Sequence, residues 1–250
     1  MGTFIATGLT LVCVGAYFVN SFTSAPTSSA GMNGKKVSES TVGRLSLYLR
    51  LLSELQADGV STLSSDALAR RCGTTAAQVR KDLSLFGTFG KRGLGYSVDE
   101  LVTELRSILG LGRRWRVALV GAGRIGVALL GYEDFRKQGF YIEAVFDADR
   151  AKVGQERHGL VIQSEDELEG VLAGGIDIVI VAVPAEWAQS IVDRVVSAGV
   201  RGILNFAPTK LDVPAGVALK NVNMAMELEA LSYALASSGK RPRAAVRTRG

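Results

Sequence analysis

Gly121-Ala122-Gly123-Arg124-Ile125-Gly126 is the stretch that decides the fold. A short apolar run, Val117 to Val120, leads into it, and a helical pattern through Ala128, Leu129 and Phe135 leads out, so GxGxxG falls at a strand-to-helix turn. Glycine serves three purposes there: one makes the tight turn, one lets backbone N–H groups approach a pyrophosphate, and one packs helix against strand. A second apolar run, Phe140 to Phe146, ends at Asp147, 21 residues after Gly126. An acid at that distance suits the 2′-hydroxyl of an adenosine ribose and repels a 2′-phosphate, which predicts NAD⁺ and NADH rather than their 2′-phosphorylated forms. The three glycines, Ala122, Arg124, Ile125 and Asp147 are therefore candidate cofactor contacts. A domain of this type that takes coenzyme A is the alternative.

Beyond Asp147 the alternation of strands and helices continues. Ser164-Glu165-Asp166-Glu167 caps a helix, and Ile178 to Val183 is a continuous apolar run, as in a central parallel strand covered on both faces. Pro184 ends it, and a helix follows through Trp187, Ile191, Val192, Val195 and Val196. Ile203-Leu204 begins another strand. The strand ends at Val183-Pro184 and Asn205-Phe206-Ala207-Pro208 fall on the carboxyl edge of the sheet, where open α/β folds bind ligands. Val183, Pro184, Asn205 and Phe206 are the candidate walls of a nicotinamide pocket. Met224, Leu228, Leu231 and Leu235 stripe a last helix, which packs either on a partner subunit or into the core.

The chain before the glycine turn reads differently. Leu45, Tyr48, Leu49, Leu52 and Leu55 make one apolar stripe, with Arg44, Arg50 and Glu54 off it. A second helix runs from about Asp66 to Cys72 and breaks at Gly73, and Thr75-Ala76-Ala77-Gln78 reads as a capping box opening a third. Helix, glycine turn, helix is the helix-turn-helix arrangement. Val79, Leu83 and Phe86 define the buried face of the third helix, leaving Ala77, Lys81 and Ser84 opposite, flanked by Gln78 and Arg80. Basic and amide side chains at that place suit the major groove; a solvated charged face is the plain alternative. Phe89-Gly90-Lys91-Arg92-Gly93-Leu94-Gly95-Tyr96 then reads as a β-hairpin with a slim basic tip, the wing of a winged helix, with Lys91, Arg92 and Gly93 entering the minor groove. Ser97 to Glu100 caps a fourth helix that ends at Gly110.

Charge divides the same way. The whole chain carries +5, yet residues 32–113 hold 12 basic and 8 acidic side chains (+4), residues 114–239 hold 12 and 16 (−4), and residues 240–250 hold five basic and none acidic. A basic domain beside an acidic one places an anionic polymer with the first only. With 47% hydrophobic residues among 250, two domains fit easily. Cys13 and Cys72 form no CxxC and no pair, which suits a reducing cytoplasm and excludes a zinc site. Phe4 to Val19 is uncharged and apolar, and a Ser/Thr/Ala/Pro/Gly-rich linker follows to Gly31. The run is short for a bilayer at about 20 residues, and no Lys or Arg precedes it as in a signal peptide. The expectation is that the functional chain starts at Met32 and residues 1–31 are an upstream extension; a membrane tether is the alternative.

The run Thr75 to Ser84, the wing, the GxGxxG turn and Asn205-Phe206-Ala207-Pro208 together closely resemble the Rex family of bacterial redox-sensing transcriptional repressors, over about Ser38 to Ala236. The resemblance implies a homodimer with a winged-helix domain (32–110) and a Rossmann domain (111–222) per subunit, a C-terminal helix (223–239) exchanged between subunits, and a basic tail (240–250). It implies binding to palindromic operator DNA when NAD⁺ dominates and release when NADH binds. It also implies that Tyr132 senses the nicotinamide ring, and that Arg50 belongs to a latch with the first residue of the last helix. Where the family has an aspartate at that latch this chain has Asn223, and where it often has tyrosine on the recognition helix this chain has Leu85. An NAD-dependent oxidoreductase is the competing class; it requires an acid or base near the hydride, for which the sequence offers His158 in a turn, Lys210 and Glu227.

Overall fold

A computed structural model describes residues 37–90 and 94–238. The expectations for the N-terminal extension, the wing tip at Lys91, Arg92 and Gly93, and the basic tail lie outside the described residues.

The first domain is helical. Helix α1 (Glu39–Ala57) starts where Ser38 accepts the Thr41 N–H, and its stripe is the expected one: Leu45, Tyr48, Leu49, Leu52 and Leu55 are all buried. Helices α2 (Ser65–Cys72) and α3 (Ala76–Ser84) are joined through Gly73 in a left-handed conformation, and α4 (Val98–Ile108) lays Val98, Leu101, Val102 and Leu105 against α1. Two short strands, β1 (Thr62–Leu63) and β2 (Tyr96–Ser97), pair antiparallel. Tyr96 thus pairs with Leu63, and no strand forms at Phe89-Gly90, while the tip of the expected hairpin lies outside the described residues. Gly95 at φ +85 lies against the Leu63 carbonyl, and Gly90 at φ +74 lies 2.5 Å, measured from an added Cβ, from the Gly95 oxygen. A side chain at either would push the base of the wing off β1.

The second domain is a seven-stranded sheet. Its strands are β3 (Trp115–Val120), β4 (Phe140–Asp147), β5 (Glu156–Arg157), β6 (Leu160–Ser164), β7 (Ile178–Val181), β8 (Gly202–Asn205) and β9 (Ala218–Asn221). They lie in the order β5-β6-β4-β3-β7-β8-β9, parallel except for β5. Strand order reverses between β3 and β7, which opens a crevice at their carboxyl ends. Helices α7 (Leu168–Leu172) and α8 (Ala185–Ser197) cover one face, and α5 (Arg124–Leu130) and α6 (Glu133–Lys137) cover part of the other. The single helix expected through Phe135 is broken at Gly131 into α5 and α6. Trp187 departs from its expected stripe: it is 62% exposed, whereas Ile191, Val192 and Val195 on α8 are buried. Strand β7 stops at Val181, two residues short of the apolar run. Strands β5 and β9 carry no apolar signal and were not legible in the sequence.

Helix α9 (Met224–Ser238) ends the described chain. Met224, Leu228, Leu231 and Leu235 are each more than half exposed, so within one subunit the stripe is not core. Among the described residues no helix is long and apolar enough to cross a membrane.

Candidate nucleic-acid interface and nucleotide site

The outer face of α3 is built from its N-cap. Thr75 accepts the Gln78 N–H at 3.1 Å, but the reciprocal half of the capping box is absent, because the Gln78 amide instead donates to Asp82 at 2.8 Å. Asp82, which belongs to neither the apolar nor the outward set of α3, is 1% exposed. It accepts from Arg44 Nε at 2.6 Å, Arg44 Nη2 at 2.7 Å and the Tyr48 hydroxyl at 2.9 Å. Burial alone would raise its carboxyl, but the hydrogen bonds from Arg44, Gln78 and Tyr48 outweigh that and hold it below the usual carboxylate range. Four side chains from two helices thus fix the roll of α3 about its axis. Arg44, which lies off the apolar stripe, is a structural clamp that periodicity could not show. The roll leaves Ala77, Arg80, Lys81 and Ser84 exposed together, as the sequence predicted, with Gln78 half-buried. Arg80 donates to Ser65 at the start of α2 at 2.8 Å, and the Ser84 hydroxyl turns back to the Lys81 carbonyl.

At the glycine turn the three glycines meet different surroundings. Gly121, at φ +100, has the Ala182 carbonyl where a Cβ would be, and Gly126 has the Gly121 carbonyl there. Gly123 has no atom within 4 Å of that position. Two glycines therefore close the fold, and the middle one leaves open a space beside backbone N–H groups of Gly123, Arg124 and Ile125 that lack an intrahelical acceptor. That open cradle fits a pyrophosphate. Asp147 reaches it from β4, accepting the Ala122 N–H at 2.8 Å through Oδ2. Lys152, which belongs to no motif in the sequence, sits 2.9 Å from the same oxygen.

Other candidates are placed less directly. Val183 is half-buried beside Gly121, and Pro184 is exposed at the start of α8. Phe206 is half-buried against the sheet on the side of α5. Asn205 is fully buried, and its amide is spent on the chain itself: it donates to Ala207, Thr209 and Asn221 and accepts the Ala207 N–H. It shapes the turn that carries Phe206, which corrects the expectation of a direct wall residue. Tyr132 is half exposed and stacks edge-on against Phe135. It follows α5, whose seven residues carry it about 10 Å from the glycine turn. Asn223 caps α9, accepting the Ala225 and Met226 N–H groups. Arg50 is exposed, with no ion pair or hydrogen bond among the described residues. His158, at φ +49, lies in the turn before β6, at the amino edge of the parallel strands and away from the crevice.

A winged-helix domain with an exposed basic α3, joined to a dinucleotide-type sheet with an open glycine cradle, defines a nucleotide-responsive DNA-binding regulator. Residues 36–84 match the family described as putative DNA-binding protein N-terminus, and residues 113–209 match the CoA binding domain. The chain is 47% identical over 203 residues to the redox-sensing transcriptional repressor Rex of Carboxydothermus hydrogenoformans, covering 81% of this chain and 98% of that protein. It is 48% identical over 200 residues to the Rex of Thermus thermophilus, covering 80% and 94%. Among solved structures, RSP, a Rex-family repressor, in complex with β-NAD⁺ and operator DNA aligns with a TM-score of 0.78 and 38% identity, covering 82% of this chain and 94% of that one. RSP with β-NADH aligns at 0.74 and 36%, covering 81% and 95%. The chain belongs to the Rex family of redox-sensing transcriptional repressors.

Proposed function

We propose that this protein is a repressor that holds operator DNA when NAD⁺ dominates and releases it when NADH binds. The observation that carries it is the coexistence of the outward basic face of α3 with the open cradle at Gly123. Ala77, Gln78, Arg80, Lys81 and Ser84 read the major groove, and Lys91, Arg92 and Gly93 follow the minor groove. The glycine turn holds the pyrophosphate, Asp147 the adenosine ribose, and Val183, Pro184 and Phe206 wall the nicotinamide. A neutral reduced ring enters such apolar walls more readily than a cationic oxidised one. For that preference to release DNA, NADH must bind the DNA-incompetent form more tightly, since a ligand without preference shifts nothing.

Two such chains form the working unit. The exposed stripe of α9, and an open recess of about 320 Å³ lined by Phe140, Ile178, Ile180 and Leu204, supply apolar surface for a second subunit. The C-terminal helix is exchanged between the subunits, and Tyr132 senses the nicotinamide ring. A two-fold dimer sets two α3 helices about one DNA turn apart. The protein acts in the cytoplasm and catalyses no turnover of its nucleotide.

Fluorescence anisotropy of a palindromic duplex, selected in NAD⁺ from random sequence, tests this reading. NADH should lower the anisotropy of the complex and NAD⁺ should not. Bound DNA indifferent to both nucleotides would refute the sensing mechanism. Because residues 113–209 match the CoA binding domain, coenzyme A belongs in the same titration, and competition with NADH would revive that ligand class.

A further inference from the structure

Asp147 is engaged on both carboxylate oxygens. Oδ2 accepts the Ala122 N–H at 2.8 Å and faces Lys152 Nζ at 2.9 Å, while Oδ1 accepts the Asp149 N–H at 2.8 Å. Lys152 reaches back because the chain turns after β4: Asp149 accepts the Ala151 N–H through its side chain and the Lys152 N–H through its carbonyl. The Asp147 side chain is 10% exposed and that of Lys152 36%. The Asp149 carboxylate stands 3.8 Å from the same ammonium. Towards solvent, therefore, this corner of the cradle shows the Lys152 ammonium and the 51% exposed Asp149 carboxylate rather than Asp147 itself.

We propose that Lys152 shares recognition of the adenosine ribose with Asp147 and that the balance of their charges sets discrimination between a 2′-hydroxyl and a 2′-phosphate. The proposal rests on the NAD(H) reading above. A hydroxyl both donates and accepts, so it can bond Asp147 and Lys152 together. A 2′-phosphate beside an uncompensated acid is repelled; where Lys152 offsets Asp147, the repulsion that remains comes from the exposed Asp149. The acid alone, as its place at the end of β4 suggested, is then not the selectivity filter. Lys152 weakens it, and the exposed Asp149 restores part of it.

Calorimetric dissociation constants for NADH and NADPH on the full chain test this, with Lys152→Met, Lys152→Arg and Asp147→Asn as variants. The quantity read is the ratio of the NADPH constant to the NADH constant. Lys152→Met should raise it roughly tenfold and Asp147→Asn lower it by a similar factor, because each change removes one unit charge close to the phosphate. Lys152→Arg should stay within roughly twofold of wild type, since it keeps the charge. If Lys152→Met weakens both nucleotides equally and leaves the ratio unchanged, Lys152 only anchors Asp147 and the proposal is overturned. Wild-type protein that binds neither nucleotide would overturn the NAD(H) reading, and the proposal with it.

Discussion

Arg44 of α1 and Asp82 of α3 are joined by two hydrogen bonds, Nε to Oδ2 at 2.6 Å and Nη2 to Oδ1 at 2.7 Å, although 38 residues separate them in the chain. The pair sets which face of the recognition helix looks outward. Asp82→Ala should therefore cost the domain about 3 kcal/mol, since it leaves Arg44 and the Tyr48 hydroxyl without their acceptor. Urea denaturation measures the loss. DNA affinity of the residual folded protein should also fall, although Asp82 touches no DNA, because Arg80 and Lys81 lose their register.

The same cluster gives the first domain a pH window. The Asp82 carboxyl lies below its ordinary value, so its contribution is present above about pH 3.9 and is lost as pH falls through the folded value. Burial pushes the Cys72 thiol up to about 11 and, with the Asp82 hydrogen bond, raises the Tyr48 hydroxyl as well. Those contributions are whole below about pH 8.5 and fade as pH rises towards the folded values. Denaturation midpoints taken across pH should fall at both ends. Cys72→Ala should flatten the start of the alkaline limb and leave the acid limb unchanged.

The three glycines of the turn should separate stability from binding. Gly126→Ala drives a Cβ into the Gly121 carbonyl and should destabilise by about 1–3 kcal/mol. Gly123→Ala has room in the free protein and should cost within about 1 kcal/mol. It should nevertheless weaken NADH at least about tenfold, by holding a pyrophosphate off the N–H groups. Thermal melts with and without NADH distinguish the two: Gly123→Ala keeps its melting point and loses the ligand-induced rise.

Asn223 caps α9 where the family has an aspartate. Asn223→Asp keeps an N-cap acceptor and supplies the charge that Arg50 lacks. It should shift the NADH concentration for half-release of DNA by roughly threefold, a typical size for a partly exposed ion pair, downward if the pair forms in the released state and upward if it forms in the DNA-bound state. The same substitution in an Arg50→Ala background should have no effect. Equal shifts in both backgrounds would mean that Arg50 is not the partner.

Short-range chemistry made the sequence legible. Periodicity placed the stripe of α1 from Leu45 to Leu55, Thr75 announced the start of α3, and three glycines with an acid 21 residues on located the cradle between β3 and β4. All of these are set by neighbours within a turn or a strand. Tertiary structure alone decided what Asp82, Asn205, Lys152 and Trp187 do. Asp82 looks like any surface acid until a helix 38 residues upstream brings Arg44 and Tyr48 to it, and Asn205 looks like a ligand contact until Asn221 arrives from β9. Strand β9, with Lys220 and Asn221 in it, forms because β8 offers a free edge, and no apolar pattern foretells that. A helical unit ahead of an α/β unit, with a glycine turn in the second, could be read from residues alone, because turns, caps and apolar periods are local. Which polar side chains are spent inside the fold and which remain for a ligand depends on partners distant in the chain, and so emerges only once the chain is folded.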